Sequence, residues 1–313
     1  MGVSKYDIDT ELVAHPGTSH ALMLELVGSN KRVLDVGCDT GYLGRALIAH
    51  GCSVSGVEMN EAAAAEAARY LDRVLVADLE KADLVEEFGA ASFDVVVFGD
   101  VLEHLRDPLP ALRQARPLLR PGGYIVISTP NIAHGDVRLA LLAGRFNYSK
   151  VGILDDTHLR FFTRDSLVQF LHDGGFVLAD LRRSIAELFT TELGVQEADV
   201  DPELVASLRD DIEARTYQFV VTAVPDDAAS VQSEQALRVD ALVTERDRLA
   251  ADLGETRRQL DEALRELAAL RDRVANIQAA HDTAVTQRDL AYIRIAEQNG
   301  RLATLLRRAV HRA

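Results

Sequence analysis

Apolar positions along this chain follow two periods in turn. Short aliphatic and β-branched runs at 32–36, 53–57, 74–77, 94–98, 123–128, 176–181 and 216–224 read as strands, and stretches between many of them carry helical spacing. Val33, Leu34 and Val36 open the series, after which Tyr42, Leu43, Ala46, Leu47 and Ile48 share one helical face. Strands alternating with helices predict parallel crossovers, hence an α/β, doubly wound sheet. Pro121, Gly122 and Gly123 predict a turn before the fifth strand, and Pro130 predicts its end.

Beyond Pro225 the pattern changes. From about residue 230 proline disappears, glycine is scarce, and alanine, leucine, glutamate and arginine dominate. A heptad track runs through Val239, Leu242, Leu249, Leu253, Leu260, Ala263, Leu267, Leu270, Val274 and Ile277. It resumes weakly through Ala284, Ala291, Ile295, Leu302 and Leu305, while Arg246, Arg288 and Gln298 interrupt it. The expectation is one domain over 1–225, with insertions near 131–163 and 184–212, followed by a linker and coiled-coil extension over 226–313. A seam of this kind needs a partner. Homo-oligomerisation through 230–313 is the leading expectation, with antiparallel folding onto itself or another protein as alternatives.

The strand-to-helix turn at 31–47 carries the first chemistry. Gly37 and Gly41 let the backbone turn sharply and approach a ligand, and Gly44 permits close helix-to-strand contact. A dinucleotide fingerprint would place its second glycine where Asp39 stands, and Asp35 adds another carboxylate. Two acids oppose a pyrophosphate but tolerate a cationic or zwitterionic cofactor. Glu58, at the end of the second strand, is placed to receive ribose hydroxyls; its other reading is a helix-start acid before Asn60. Asp78 can accept from an exocyclic amine, with Leu79 and Val101 over the ring faces, or it can be a surface turn residue.

The ordered set VLDVGCDTG, GVEMN, ADLE, FDVVVFGDVLEHLRDP and LLRPGGYIVISTPN resembles the class I S-adenosylmethionine-dependent methyltransferase family, over about residues 1–225. The resemblance implies a Rossmann-like, seven-stranded, largely parallel sheet with helices on both faces and an antiparallel last strand. It further implies S-adenosyl-L-methionine as cofactor. Asp35, Gly37, Cys38 and Gly41 would form the loop beside its aminoacyl end, and Glu58 with Met59 would lie at the ribose. Asp78 and Leu79 would lie beside adenine, with Gly99, Asp100 and Val101 completing the cleft. Asp39 stands where many members have glycine, a departure that still allows a turn.

Methyl transfer to a hydroxyl calls for a proton acceptor, and a near-neutral histidine is suited to it. His158, in DDTHLRFFT, is the first candidate base and His134 the second; a structural role fixing the loop competes for His158. The DDTHLRFFT phrase resembles small-molecule and sugar-modifying members of the family. Phe146 and Tyr148 offer an apolar wall for an acceptor or close a local core. His104 reads as a local packing residue. No metal is assigned, because sequence neighbours such as Asp155 and Asp156 rarely converge on one ion. Arg182 and Arg183 suggest anion recognition less than ordinary surface charge.

Composition excludes some partners. The 34 Lys and Arg residues against 49 Asp and Glu, a formal charge of −15, argue against a general nucleic-acid surface. Two cysteines, Cys38 and Cys52, make no disulfide framework, and neither a signal segment nor a membrane span is evident, so cytoplasmic residence is expected. The expected activity is methylation of a hydroxyl on a small molecule or sugar-bearing intermediate. Alternatives are a catalytically weak cofactor-binding scaffold organised by its coil, and an N-methyltransferase.

Overall fold

Alternating side chains decide how the sheet is covered. In β4 (Phe93–Gly99), Val95 and Val97 enter one hydrophobic cluster while Val96 and Phe98 enter another. Both faces are therefore buried, as parallel sheets require. The computed structural model describes residues 17–227 and most of 256–301. The chain divides into two units, Met1–Arg238 and Val239–Ala313.

In the first unit the described residues form a seven-stranded sheet of order β3-β2-β1-β4-β5-β7-β6. The strands are β1 (Arg32–Val36), β2 (Ser53–Glu58), β3 (Arg73–Val76), β4, β5 (Leu119–Pro130), β6 (Phe176–Ile185) and β7 (Thr216–Pro225). The first five are parallel, whereas β7 runs antiparallel to both β5 and β6. One face is covered by α1 (Ser19–Val27), α2 (Tyr42–Ala49) and α3 (Glu61–Ala67), through Met23, Val27, Leu43, Leu47 and Ala67. The other is covered by α4 (Leu84–Phe88), α5 (Pro108–Leu118) and α7 (Arg164–Asp173), through Leu84, Leu112, Leu118, Leu167 and Leu171. Each of these fully covered aliphatic side chains contributes about 1.5–3 kcal/mol of transfer free energy.

Two segments depart from this plan. Between β5 and α7 the chain forms α6 (Gly135–Leu142) and the loop that follows it; between β6 and β7 it forms α8 (Pro202–Asp210) and α9 (Ile212–Arg215). They meet in a small core of Leu139, Ala140, Leu188, Val195, Val205, Leu208 and Ala214. The fifth strand starts earlier than the Pro-Gly-Gly turn predicts. It pairs from Leu119, and a register shift between Phe93 and Val95 absorbs the turn.

In the second unit the described residues are helical. Leu260, Leu267, Leu270, Val274, Ile277 and Ile295 of the expected seam are exposed. Val239, Leu242, Leu249, Leu253, Leu302 and Leu305 lie outside the described residues. Among the described residues, no helix is long and apolar enough to cross a membrane.

Candidate active site

Parallel strands deliver their carboxyl ends to one edge, and the order reverses between β1 and β4. Ligands of such sheets collect at that switch point. The turn after β1 is built for close approach. Gly37 sits at φ +75°, and a Cβ there would come 2.5 Å from Val101 Cγ2. Gly41, at φ +81°, caps α2, and its Cβ would meet the Ala67 backbone at 3.1 Å. Asp39 takes the left-handed conformation expected of glycine, φ +45°, and donates its N–H to Glu58 Oε2 at 3.0 Å. Asp tolerates that conformation better than most residues, so the departure from glycine keeps the turn.

Glu58 closes the loop from the β2 side. Its Oε1 accepts the Asn60 N–H at 2.7 Å, leaving further lone pairs on both oxygens. The helix cap itself is Asn60, whose side chain accepts from Ala62 and Ala63. Asp35 is 3% exposed with Oδ2 unpartnered, and burial, reinforced by Glu58 and Asp39, pushes its carboxyl up to about 7. This acid-rich glycine turn suits a cation.

The remaining expected cofactor residues divide. The Cys38 side chain turns away from the loop, its Sγ filling the space a Gly56 Cβ would occupy, 2.5 Å away. Burial pushes its thiol well up, so Cys38 contributes main chain to the loop rather than a reactive sulfur. Met59 is 70% exposed just past Glu58. The Asp78 carboxylate is held by Lys81 at 2.8 Å and the Glu80 N–H at 3.0 Å, and the Lys81 hydrogen bond lowers its pKa. Leu79 leans on the core beneath β3. Gly99 ends β4 under Met23 of α1. Asp100, at φ +55°, accepts from Ser128 Oγ and Gln218 Nε2, each at 2.8 Å.

Directly after Val101 a 3-10 turn, Leu102–His104, brings up a cluster the sequence expectation did not assemble. The Glu103 carbonyl accepts the N–H groups of Leu159 at 2.7 Å and Arg160 at 3.0 Å, which fastens the DDTHLRFFT loop to this turn. His158 Nδ1 donates to the Ile153 carbonyl at 3.0 Å, and its ring lies edge-on to His104 at 4.8 Å. His104 Nδ1 faces the Thr157 carbonyl at 3.3 Å. Burial, then the neighbouring His158, lowers the His104 pKa. Glu103 is 1% exposed, and burial followed by Asp100 raises its carboxyl far above the usual range. Its only sequence signal was an acid inside the LEHL phrase immediately past a buried strand.

His134 has a different place. It is fully buried; its Nδ1 accepts the Asp136 N–H at 3.2 Å and caps α6, while Nε2 contacts the Ala186 carbonyl at 3.0 Å. Both ring nitrogens are thus engaged, one of them in capping α6. Asp155 and Asp156 diverge, the first binding the Thr157 N–H and hydroxyl, the second pairing with Lys150. Arg182 pairs with Asp180 and Arg183 with Glu213. Phe146 and Tyr148 are exposed and stack edge-on, ring centres 5.5 Å apart.

A doubly wound sheet with a glycine turn at its switch point and an acid ending β2 defines a cofactor-binding α/β enzyme class. A methyltransferase-domain family model matches residues 17–181, more than half the chain, and the chain belongs to that family. Among curated relatives, a ubiquinone biosynthesis O-methyltransferase of Paraburkholderia phymatum is 26% identical over 184 residues, 58% of this chain and 79% of that protein. The protein of the same name from Pseudomonas aeruginosa strain LESB58 is 37% identical over 106 residues, 33% of this chain and 46% of its own length. The match thus spans less than half of the Pseudomonas protein. Among solved structures, a SAM-dependent methyltransferase from Archaeoglobus fulgidus aligns with TM-score 0.49 and 21% identity, covering 70% of this chain and 96% of that one.

Proposed function

We propose that this chain is an S-adenosylmethionine-dependent O-methyltransferase acting on a hydroxyl of a small molecule or sugar-bearing intermediate. Its cofactor is S-adenosylmethionine, and the loop fits that group: Asp35 keeps a buried oxygen without a partner, and Glu58 keeps further lone pairs on both carboxylate oxygens. Glu58 would hold the ribose, with the Gly37 to Gly41 turn along the aminoacyl end. When bound, S-adenosylmethionine supplies a methyl group on a sulfonium, which leaves as a neutral sulfide. The protein's own share is to align the acceptor, exclude water and take its proton.

The observation carrying the oxygen assignment is the histidine pair beside Val101. Each histidine contacts a carbonyl through Nδ1, which leaves Nε2 with a lone pair for an acceptor hydroxyl. His158 is the better base, because its ring is buried and held by Ile153. The relatives named as O-methyltransferases support the same reaction. Segments 131–163 and 184–212 would cover the acceptor, with Phe146 and Tyr148 as apolar wall, and the exposed seam of the second unit would join a second copy of the chain.

Calorimetric titration with S-adenosylmethionine, then a mass-spectrometric screen of phenols, sugars and alcohols for methyl transfer, tests this reading. Saturable binding and an O-methyl product are expected. Absence of cofactor binding, or transfer to nitrogen alone, would refute it. His158→Ala should lower kcat by about 100-fold or more; unchanged turnover would remove His158 as the base.

A further inference from the structure

A cavity of about 440 Å³ lies where β5 and β6 end and β7 begins, lined by Ala133, Thr163, Arg164, Asp165, Arg183 and Glu213. Its volume is that of a small-molecule site, but such sites are walled mainly by apolar side chains. Here five of the six residues are polar, and two arginines balance two acids, so the wall carries no net charge. The wall is also tied together. Asn131, fully buried, donates its side-chain amide to the carbonyls of Glu213 and Thr216, each at 2.9 Å. Ile132 donates its N–H to the Phe162 carbonyl at 3.0 Å, and the Thr163 side chain caps α7. The ends of β5, α7 and β7 are thus held in one arrangement, which lowers the cost of ordering a site on binding.

Arg183 and Glu213 supply the recognition chemistry. Arg183 Nη2 meets Glu213 Oε1 at 2.6 Å, yet Nε of the one and Oε2 of the other are buried with no hydrogen-bond partner. Buried polar groups are nearly always satisfied, so this unused donor and unused acceptor ask for a counterpart. The side chains are 26% and 24% exposed, and a small turn of both toward the cavity brings the two atoms to its wall. A hydroxyl donates and accepts at once, so neighbouring hydroxyls of one molecule can satisfy both atoms while the ion pair stays closed. A phosphate would meet two acids along with the two arginines, and a zwitterion would have to part the pair. A lipid chain would find only Ala133 as apolar wall.

We propose that this cavity is a saccharide subsite, holding an uncharged, polyhydroxylated part of the acceptor through Arg183 and Glu213. Arg164, whose guanidinium reaches only its neighbour Asp165 at 3.3 Å, adds further donors. The proposal rests on the sugar-bearing reading above and deepens it. None of these residues is assigned to the cofactor or to proton transfer, so recognition of the sugar and methyl transfer can be lost separately.

The test uses the full chain and the methyl glycosides of glucose, mannose, galactose and N-acetylglucosamine, titrated by saturation-transfer difference NMR. Inorganic phosphate and glycine are titrated in parallel by calorimetry. Saturable binding of at least one glycoside is expected. Arg183→Lys, which keeps the charge but loses the planar fork, and Glu213→Gln should each weaken it about 10-fold or more. Arg182→Gln, on the same strand and paired with Asp180, should bind as the parent does. Far-UV circular dichroism checks the fold, and Arg164→Gln, at an exposed position of the wall, serves if the other two variants do not fold. No saturable binding of any glycoside, binding that all three wall variants leave intact, or tighter binding of phosphate or glycine overturns the subsite. Glycoside binding in the cavity without methyl transfer to any hydroxyl supports the subsite and refutes the O-methylation reading. Methyl transfer to phenols or simple alcohols by a chain that binds no glycoside does the reverse.

Discussion

Replacing Asp35 with asparagine should make this protein more stable at alkaline pH and nearly indifferent at acid pH. Asp35 sits in β1 with its Oδ2 unpartnered, and burial, then Glu58 and Asp39, raises its carboxyl from 3.8 to about 7. Below pH 3.8 the group is protonated whether the chain is folded or not, and it contributes nothing to pH dependence. Between 3.8 and about 7 the folded chain keeps a proton the unfolded chain has released, so stability falls as pH rises. Above about 7 both forms are ionised and the full penalty stands; at about 1.4 kcal/mol for each pH unit, it comes to about 4 kcal/mol. An asparagine side chain would mimic the protonated form at every pH. Urea unfolding at pH 4.5 and pH 8.5 measures it, followed by far-UV circular dichroism because the chain has no tryptophan. The expected gain from Asp35→Asn is a few kcal/mol at the higher pH and much less at the lower. An equal change at both would refute the buried-charge reasoning. The same linkage predicts that the parent binds cationic S-adenosylmethionine more tightly as pH rises through 7, and that Asp35→Asn loses this dependence.

Gly37→Ala should destabilise the chain by about 2 kcal/mol or more, from left-handed strain together with the Val101 contact. Adding Val101→Ala should recover the contact part but not the strain, as a thermal-denaturation cycle would show. Glu58→Ala removes the carboxylate that accepts the Asp39 and Asn60 N–H groups; cofactor affinity by calorimetry should fall about 10–100-fold, as for loss of a hydrogen bond to a charged group. His134→Ala should lower stability by about 1–3 kcal/mol through the lost cap and the stranded Ala186 carbonyl, with the pH profile of kcat unchanged. Removing residues 239–313 should leave cofactor affinity unchanged and reduce the particle to one chain in light scattering.

Legibility followed the range of each interaction. Every strand the apolar runs predict is present, because a buried β run such as Val95 to Phe98 leaves no other interpretation. Caps are local as well: the Thr163 side chain accepts the Ser166 N–H at the start of α7, and Asp201 accepts the Glu203 N–H at the start of α8. Contacts across distant segments were not legible. Nothing local to His134 shows that Ala186, far along the chain, occupies its second nitrogen. Glu103 looked like one acid among many until a long stretch of intervening chain returned His158 to its side. The start of β5 failed for the converse reason: Gly122 turns as expected, but the sheet continues around it.

The strand order also governs when this protein can fold during synthesis. β7 is the last strand of the sheet to leave the ribosome, yet it lies between β5 and β6. Until it arrives, β6 has no sheet neighbour and the β5 edge stands open, a ready template for unwanted pairing. The catalytic unit therefore closes in a late step, when residue 225 emerges. The residues that follow Pro225 keep the nascent chain tethered while that closure occurs.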